Sequence, residues 1–280
     1  MMKTMCQLFC LFVSFYLHAS EPQKLIFAPM PLQNEENMFK IFSPMVHYLE
    51  KTLHVTISFH FSTSYKSFLE KIEENTIDIA YIWPLPYVEL KKNASFVEPL
   101  VFFNEADGKP FYRCTLVAWG ESYWPLSKLS PYHSFALTEP LSTCGYLSVS
   151  NLLREAGQAL EEQSFSYLGR QDKVALSVVK GQFEYGGVKD EIAKTYAHLG
   201  LEVVAQTEPL PAFVLIANAQ KLSPEFRNKI TEALLYAPKS EYQTWGKGIN
   251  KGVSLASDAA FDSVRILRLE DIVAKQGAVQ

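Results

Sequence analysis

Two clusters of hydroxyl-bearing residues could bind an anion. The first, STCG at 142–145, follows the apolar segment 134–137, and the second, STS at 62–64, follows the alternating segment 55–61. Hydroxyls and unpaired backbone amides at the start of a helix donate hydrogen bonds, and the helix dipole makes that end partly positive. An ordinary capped turn between a strand and a helix is the alternative, because it uses the same residue types without a ligand.

Cys144 adds two further possibilities to the first cluster. A thiolate at a positive helix end can act as a nucleophile, which would make the chain an enzyme. His133 lies at the far end of the preceding strand, a poor place for a general base, so we do not favour catalysis. Cys114 is the one other cysteine after the first 20 residues. Two cysteines are not a disulfide framework, and we therefore expect free thiols, with a disulfide as the alternative.

Alternating strands and helices must position these clusters. Strand–helix–strand units of this length imply parallel pairing and an α/β fold. We predict two lobes: the first comprises residues 21–112 and 214–280, and the second comprises residues 113–213. Connecting strands are expected near 111–119 and 209–217. Ligands of open α/β sheets bind at the ends of the strands, so a hinged cleft between the lobes is the predicted site.

The composition is that of a globular protein with a real core. Hydrophobic residues make up 48% of the 280 residues and charged residues 20%. The formal net charge of −4 argues against a nucleic-acid partner, which requires a basic surface. The histidines do not fall at a metal-ligand spacing, and we expect no metal and no other cofactor.

The first 20 residues have the layout of a secretory signal peptide. Lys3 precedes an apolar segment, 5–17, that is too short to span a bilayer, and small residues follow it. We predict cleavage near Ala19 or Ser20 and a periplasmic protein. Attachment of a lipid at Cys10 is the alternative, which the bulky residues before it disfavour.

Six short segments, in order along the chain, resemble the periplasmic solute-binding proteins of ABC importers for phosphate, phosphite and phosphonate. The resemblance implies a two-lobed periplasmic binding protein fold of type II that closes on a small tetrahedral oxyanion. It also implies delivery of that ligand to an ABC permease in the inner membrane, and we expect a monomer. The segments are FAPMP at 27–31, SYKSF at 64–68, IDIAYIWPL at 77–85, EPLSTCGY at 139–146, GQFE at 181–184 and SDAAFD at 257–262.

The resemblance also implies ligand-binding residues. The family's Ser-Thr-Ser at a helix start falls on Ser142, Thr143 and Cys144, where the thiol is a weaker donor than a hydroxyl. Its anion-binding histidine aligns with Arg170, which adds a permanent charge and a bidentate fork. The remaining predicted ligand residues follow two strands of the first lobe: Ser64, Tyr65, Ile82 and Trp83.

Two questions about the ligand and the role stay open at this point. Some members of the family bind an aminoalkyl group with acidic residues, and those have no clear counterpart here, because Lys189 and Asp190 occupy that region. An amine-bearing phosphonate is therefore not favoured. A ligand-binding input protein for a membrane sensor is the alternative to an importer component, and it would need a separate membrane partner.

Overall fold

The computed structural model describes residues 22–120, 124–129 and 133–268. The predicted signal peptide, residues 1–20, lies outside these ranges. Within them the chain forms two β-sheets with helices packed on their faces. No helix in the described part of the chain is both long and apolar enough to cross a bilayer.

A six-stranded sheet forms the first lobe. The strand that begins the described chain lies near one edge, pairs in parallel with two neighbours, and buries nearly all of its side chains. Two later segments return to this sheet in antiparallel pairing. In spatial order the strands are Val253–Leu255 (β13), Val97–Phe103 (β4), Val214–Asn218 (β12), Ile79–Ile82 (β3), Lys24–Pro29 (β1) and Thr56–Phe59 (β2).

A five-stranded sheet forms the second lobe. Its central strand is parallel to one neighbour and antiparallel to the other, so the sheet is mixed like the first. In spatial order the strands are Leu201–Gln206 (β10), Cys114–Trp119 (β6), Tyr185–Lys189 (β9), Ser134–Leu137 (β7) and Ser164–Tyr167 (β8).

Two short strands connect the lobes. Phe111–Tyr112 (β5) and Leu210–Pro211 (β11) pair antiparallel with each other and belong to neither large sheet. The predicted strand 111–119 is therefore divided at Arg113, whose guanidinium donates to the carbonyl of Thr207 at 2.6 Å. The chain changes sheets at this residue, so one apolar stretch supplies both a hinge strand and a core strand.

Helices follow most strands and bury one face. The longest begins after Asn34, whose side chain accepts a hydrogen bond from the amide of Asn37 at 2.9 Å, as an N-cap does. Pro44 lies inside this helix. In the described part of the chain the helices include Glu35–Leu53 (α1), Tyr65–Glu73 (α2), Pro84–Asn93 (α3), Ser148–Glu155 (α4), Gln171–Val179 (α5), Asp190–Tyr196 (α6), Pro224–Leu235 (α7) and Lys239–Tyr242 (α8).

One apolar cluster extends across both lobes. It begins on α2 and β3 with Phe68 and Ile82, passes the hinge at Tyr112, and continues to Leu147 and Leu153 in the second lobe. A second cluster lies wholly within the first lobe, between α1 and its sheet. The lobes are therefore packed against each other.

Candidate functional site

A cavity of about 430 Å³ lies between the lobes. The first lobe contributes aromatic rings from the ends of its strands, and the second contributes the start of α5 and the segment from the end of β9 into α6. Both sets border the gap between the two lobes. Its wall includes Tyr65, Trp83, Phe213, Gly169, Arg170, Gln171, Asp172, Lys189, Glu191, Ile192, Tyr196 and Lys247.

Three aromatic rings in the cavity wall pack against one another. Trp83 stacks on Phe213, with the ring centroids 5.4 Å apart and an interplanar angle of 14°, and Tyr65 meets Trp83 edge-on at 5.6 Å. Trp83 is 93% buried, and its indole Nε1 has no hydrogen-bond partner among the described residues. A buried donor without a partner is costly, so Nε1 is a candidate to bind a ligand acceptor.

Local structure explains how Tyr65 and Trp83 reach the cavity. Ser64 is exposed, and its hydroxyl accepts a hydrogen bond from the amide of Ser67 at 3.1 Å, which caps α2 and places Tyr65 at the first helical position. Trp83 follows β3 directly and precedes α3, which begins with Pro84. Both aromatic residues therefore stand at a strand-to-helix turn that faces the second lobe.

Tyr65 is a hydrogen-bond donor at neutral pH. Burial, and second the carboxylate of Glu139, raise the pKa of Tyr65 well above its ordinary value. Burial also raises the pKa of Glu139 itself. An ideal Cβ on Gly169 would lie 3.7 Å from Glu139 Oε1, which places this carboxylate beside the start of α5. The phenol therefore keeps its proton next to the cleft.

Arg170 lines the cavity but already has an anionic partner. Its Nε and Nη2 donate to the two carboxylate oxygens of Asp172 at 2.9 and 2.5 Å, and 53% of its side chain is exposed. Burial opposes ionisation of Asp172, yet the guanidinium holds the pKa of that carboxyl below its ordinary value. A ligand anion would therefore have to compete with Asp172 for the bidentate fork.

The cluster at 142–144 does not line the cavity. Ser142 and Thr143 are almost wholly buried and begin a π-helical turn, Thr143–Leu147, that continues into α4. The hydroxyl of Ser142 accepts a hydrogen bond from the amide of Gly145 at 2.9 Å. Residues 142–144 are absent from the cavity wall in this structure, in which the lobes are in contact.

Thr143 caps a helix of the other lobe. Its Oγ1 accepts a hydrogen bond from the amide of Leu85 at 3.1 Å, at the start of α3, where no side chain of the first lobe serves as a cap. Its side chain also interacts with the hydroxyl of Tyr112, a hinge residue whose pKa burial raises. Thr143 thus joins the second lobe both to the first lobe and to the hinge.

The prediction of free thiols is wrong. Cys114 and Cys144 form a disulfide, with the two Cα atoms 4.9 Å apart, and both residues are buried. The pairing was not predictable from cysteine number, because it depends on β6 lying next to the π-helical turn. Cys144 therefore has neither a thiol to donate to a ligand nor the thiolate that the enzyme alternative requires.

The structure brings some predicted residues together and separates others. Tyr65, Trp83 and Arg170 line one cavity, whereas Ser64 caps α2 on the exposed surface and Ile82 lies in the apolar core with no exposed surface. Phe213 and Lys189 line the cavity without having been predicted as ligand residues. Phe213 has a sequence signal in hindsight, because it stands between the hinge strand β11 and β12.

Comparisons with known proteins agree on the family. A family model described as the periplasmic substrate-binding protein of phosphonate ABC transporters matches residues 27–260, well over half of the chain. The phosphate-import protein PhnD of Mycolicibacterium smegmatis is 24% identical over 230 residues, which cover 75% of this chain and 70% of that protein.

Solved structures with the same fold include three binding proteins. PhnD1 from Prochlorococcus marinus, in complex with methylphosphonate, superposes with a TM-score of 0.75 at 17% identity, covering 89% of this chain and 99% of that one. A binding protein of a phosphonate ABC transporter from Pseudomonas aeruginosa gives 0.72 at 18% identity, covering 89% and 87%. The aliphatic sulphonate binding protein SsuA from Escherichia coli gives 0.59 at 11% identity, covering 92% and 88%.

Proposed function

This chain belongs to the family of periplasmic substrate-binding proteins of phosphonate ABC transporters, and we propose that it captures a small phosphonate between its lobes. The observation that carries the proposal is the cleft cavity, which is lined by Trp83 with its unpartnered indole, by the protonated Tyr65 phenol and by Arg170 at the start of α5. Donors from both lobes that converge on one cavity favour an acceptor-rich ligand. Phosphite and phosphate offer the same oxygens and are the alternatives to be compared.

The ligand would be captured in the periplasm and handed to the inner membrane. The protein would act as a monomer in the periplasm, after removal of the segment before Ala19 or Ser20, and would release its ligand to a permease in the inner membrane. Binding at a hinged cleft suits this role, because closure encloses the ligand and opening frees it. Mass spectrometry of the periplasmic fraction would check the cleavage site, and sedimentation would check the monomer.

Isothermal titration with methylphosphonate, phosphite, phosphate and methanesulfonate tests the ligand class. We expect heat with at least one of the phosphorus oxyanions and an accompanying rise in melting temperature, because a ligand that binds the folded state stabilises it. An absence of both heat and thermal shift with all three phosphorus compounds would reject the oxyanion proposal. A response to methanesulfonate alone would move the ligand class to sulfonates.

Trp83→Phe is expected to weaken oxyanion binding about tenfold, the effect of one lost hydrogen bond to a charged acceptor. Phenylalanine retains the ring that stacks on Phe213 but lacks the indole N–H. Trp119→Phe is the matched control, because that indole lies outside the cavity wall and donates to the carbonyl of Leu199. Titration calorimetry would measure both variants, and equal affinities would assign Trp83 to packing alone.

Thr143→Val is expected to weaken oxyanion binding by about 1–2 kcal/mol. The hydroxyl of Thr143 accepts from the amide of Leu85 across the cleft, so its loss disfavours the closed arrangement. Ser142→Ala removes a hydrogen bond within the second lobe only. That control should lower the free energy of unfolding by about 1 kcal/mol and change affinity less than Thr143→Val. The reverse order of affinities would contradict a role for Thr143 in closure.

A further inference from the structure

Lys189 has an unusual environment for a lysine. It is 9% exposed, and among the described residues no other lysine or arginine is as fully buried. The residue ends β9 in the second lobe and extends towards the hinge, where its Nζ lies 2.5 Å from Glu105 Oε2. Burial of an ammonium group is costly unless the charge is paired. The groups around the Nζ of Lys189 must therefore compensate its charge.

The ammonium of Lys189 lies in a cage of acids and aromatic rings. Its Nζ is 5.1 Å from the ring centroid of Tyr112 and 5.1 Å from that of Phe213. The carboxylate of Glu191 lies 3.9 Å from the same ammonium. Aromatic faces together with carboxylates are the groups that bind alkylammonium ions. We define Glu105, Tyr112 and Phe213 as the ammonium cage.

The ammonium cage adjoins the ligand cavity. Lys189 and Phe213 both line that cavity, and the ring of Phe213 also stacks on the indole of Trp83. Glu105 and Tyr112 come from the end of the first lobe that leads into the hinge, and Phe213 lies where the chain returns from the hinge to β12, whereas the ammonium comes from β9 of the second lobe. A ligand tail that extends from the Trp83 end of the cavity towards the hinge would therefore meet the filled cage.

We propose that Lys189 fills, with its own ammonium group, the subsite in which the cationic tail of a ligand would otherwise bind. The protein then selects phosphonates that carry no amino group. This inference rests on the proposed function and names the ligand class within it. Two features support it: the cage is complete without a ligand, and a second ammonium there would meet a like charge in an occupied space.

A direct anion contact is the competing role for Lys189. The geometry favours the cage, because Glu105 contacts the ammonium directly and Glu191 lies within 4 Å. Burial raises the pKa of Glu105, and the ammonium of Lys189 opposes that shift. The positive charge is thus already balanced on the side of the cage.

Lys189→Ala should convert the specificity. Calorimetry would compare 2-aminoethylphosphonate with propylphosphonate, which has a methyl group in place of the ammonium. We expect the unsubstituted protein to prefer propylphosphonate at least tenfold, and the variant to shift that preference towards the amine by about tenfold. Lys189→Met is the matched control, because its terminal methyl still fills the cage, and it should keep the original preference.

A second measurement needs no phosphonate. We expect n-propylammonium, which matches the deleted part of the side chain, to raise the melting temperature of Lys189→Ala and not that of Lys189→Met. This result would support the ammonium cage independently of the proposed function. The proposed function itself is rejected if the unsubstituted protein binds no phosphonate. If the unpaired Glu105 prevents folding, the double variant Lys189→Ala/Glu105→Gln replaces the single variant. In that protein the aromatic rings alone should shift the ligand preference towards the amine by about threefold.

Two outcomes would overturn the inference. One is a Lys189→Ala protein that loses affinity for propylphosphonate and gains none for the amine, which would make Lys189 an anion contact. The other is a Lys189→Met protein that gains affinity for 2-aminoethylphosphonate as much as Lys189→Ala does, which would show that occupancy of the cage does not exclude the amine.

Discussion

Replacing Cys114 and Cys144 together by alanine is expected to lower the free energy of unfolding by about 3 kcal/mol. The disulfide joins β6 to the π-helical turn across a separation of 30 residues, and a crosslink of this span restricts the unfolded chain. Both residues are buried, so alanine also leaves apolar contacts unmade. Urea-induced unfolding, monitored by tryptophan fluorescence, would measure the difference.

The single variants provide the control for this prediction. Cys114→Ala and Cys144→Ala each remove the same crosslink, so each should cost about as much as the double variant, and their effects should not add. The unsubstituted protein in reductant, once unfolded and refolded, should match them. Additive single effects, or a double variant within about 0.5 kcal/mol of the unsubstituted protein, would show that the crosslink does not stabilise the fold.

Gly187→Ala is expected to cost about 2–3 kcal/mol of stability and to weaken ligand binding as well. A Cβ at this residue of β9 would lie 2.4 Å from Val149 Cγ2 and 2.7 Å from the carbonyl oxygen of Cys144. The carbonyl belongs to the π-helical turn and cannot rotate away as a side chain can. The turn would have to move off the sheet, taking with it the Thr143 contact to the first lobe.

Gly186→Ala is the matched control for Gly187→Ala. Its Cβ would lie 2.8 Å from Val174 Cγ1 and 2.9 Å from Val178 Cγ2, which are side-chain atoms of α5. We expect a smaller loss of stability, about 1 kcal/mol. Thermal unfolding and titration with methylphosphonate would compare the two variants. A larger effect at Gly186 would contradict the close packing of the π-helical turn on β9.

The α/β architecture was predictable because its signals are local. Apolar strands followed by amphipathic helices recur along the chain, and the matching segments resembled one family. The break at Arg113 and the helix α3 were less accessible to sequence reasoning. Two prolines, Pro84 and Pro86, favour a turn by residue type, but proline is compatible with the first turn of a helix, and the segment begins α3.

The site was predictable only in part, because burial and pairing depend on contacts between distant segments. Tyr65 and Trp83 follow strands, so their place at the cleft could be inferred from topology. The cap that Thr143 provides for α3 requires the two lobes to meet, 58 residues apart in the chain. The pairing of Lys189 with Glu105 across 84 residues has no local signal either.

Because of the disulfide, the stability of the folded protein depends on whether its compartment is oxidising or reducing. Disulfides form in oxidising compartments and not in a reducing cytoplasm. On the proposed route, the newly made chain would carry two thiols and lack the crosslink until it had crossed the membrane. A less stable precursor unfolds more readily, which favours passage through a secretion channel that accepts unfolded chains. Oxidation after export would crosslink the π-helical turn to β6. The cleft would therefore reach its final arrangement only once the protein is in the compartment where it binds its ligand.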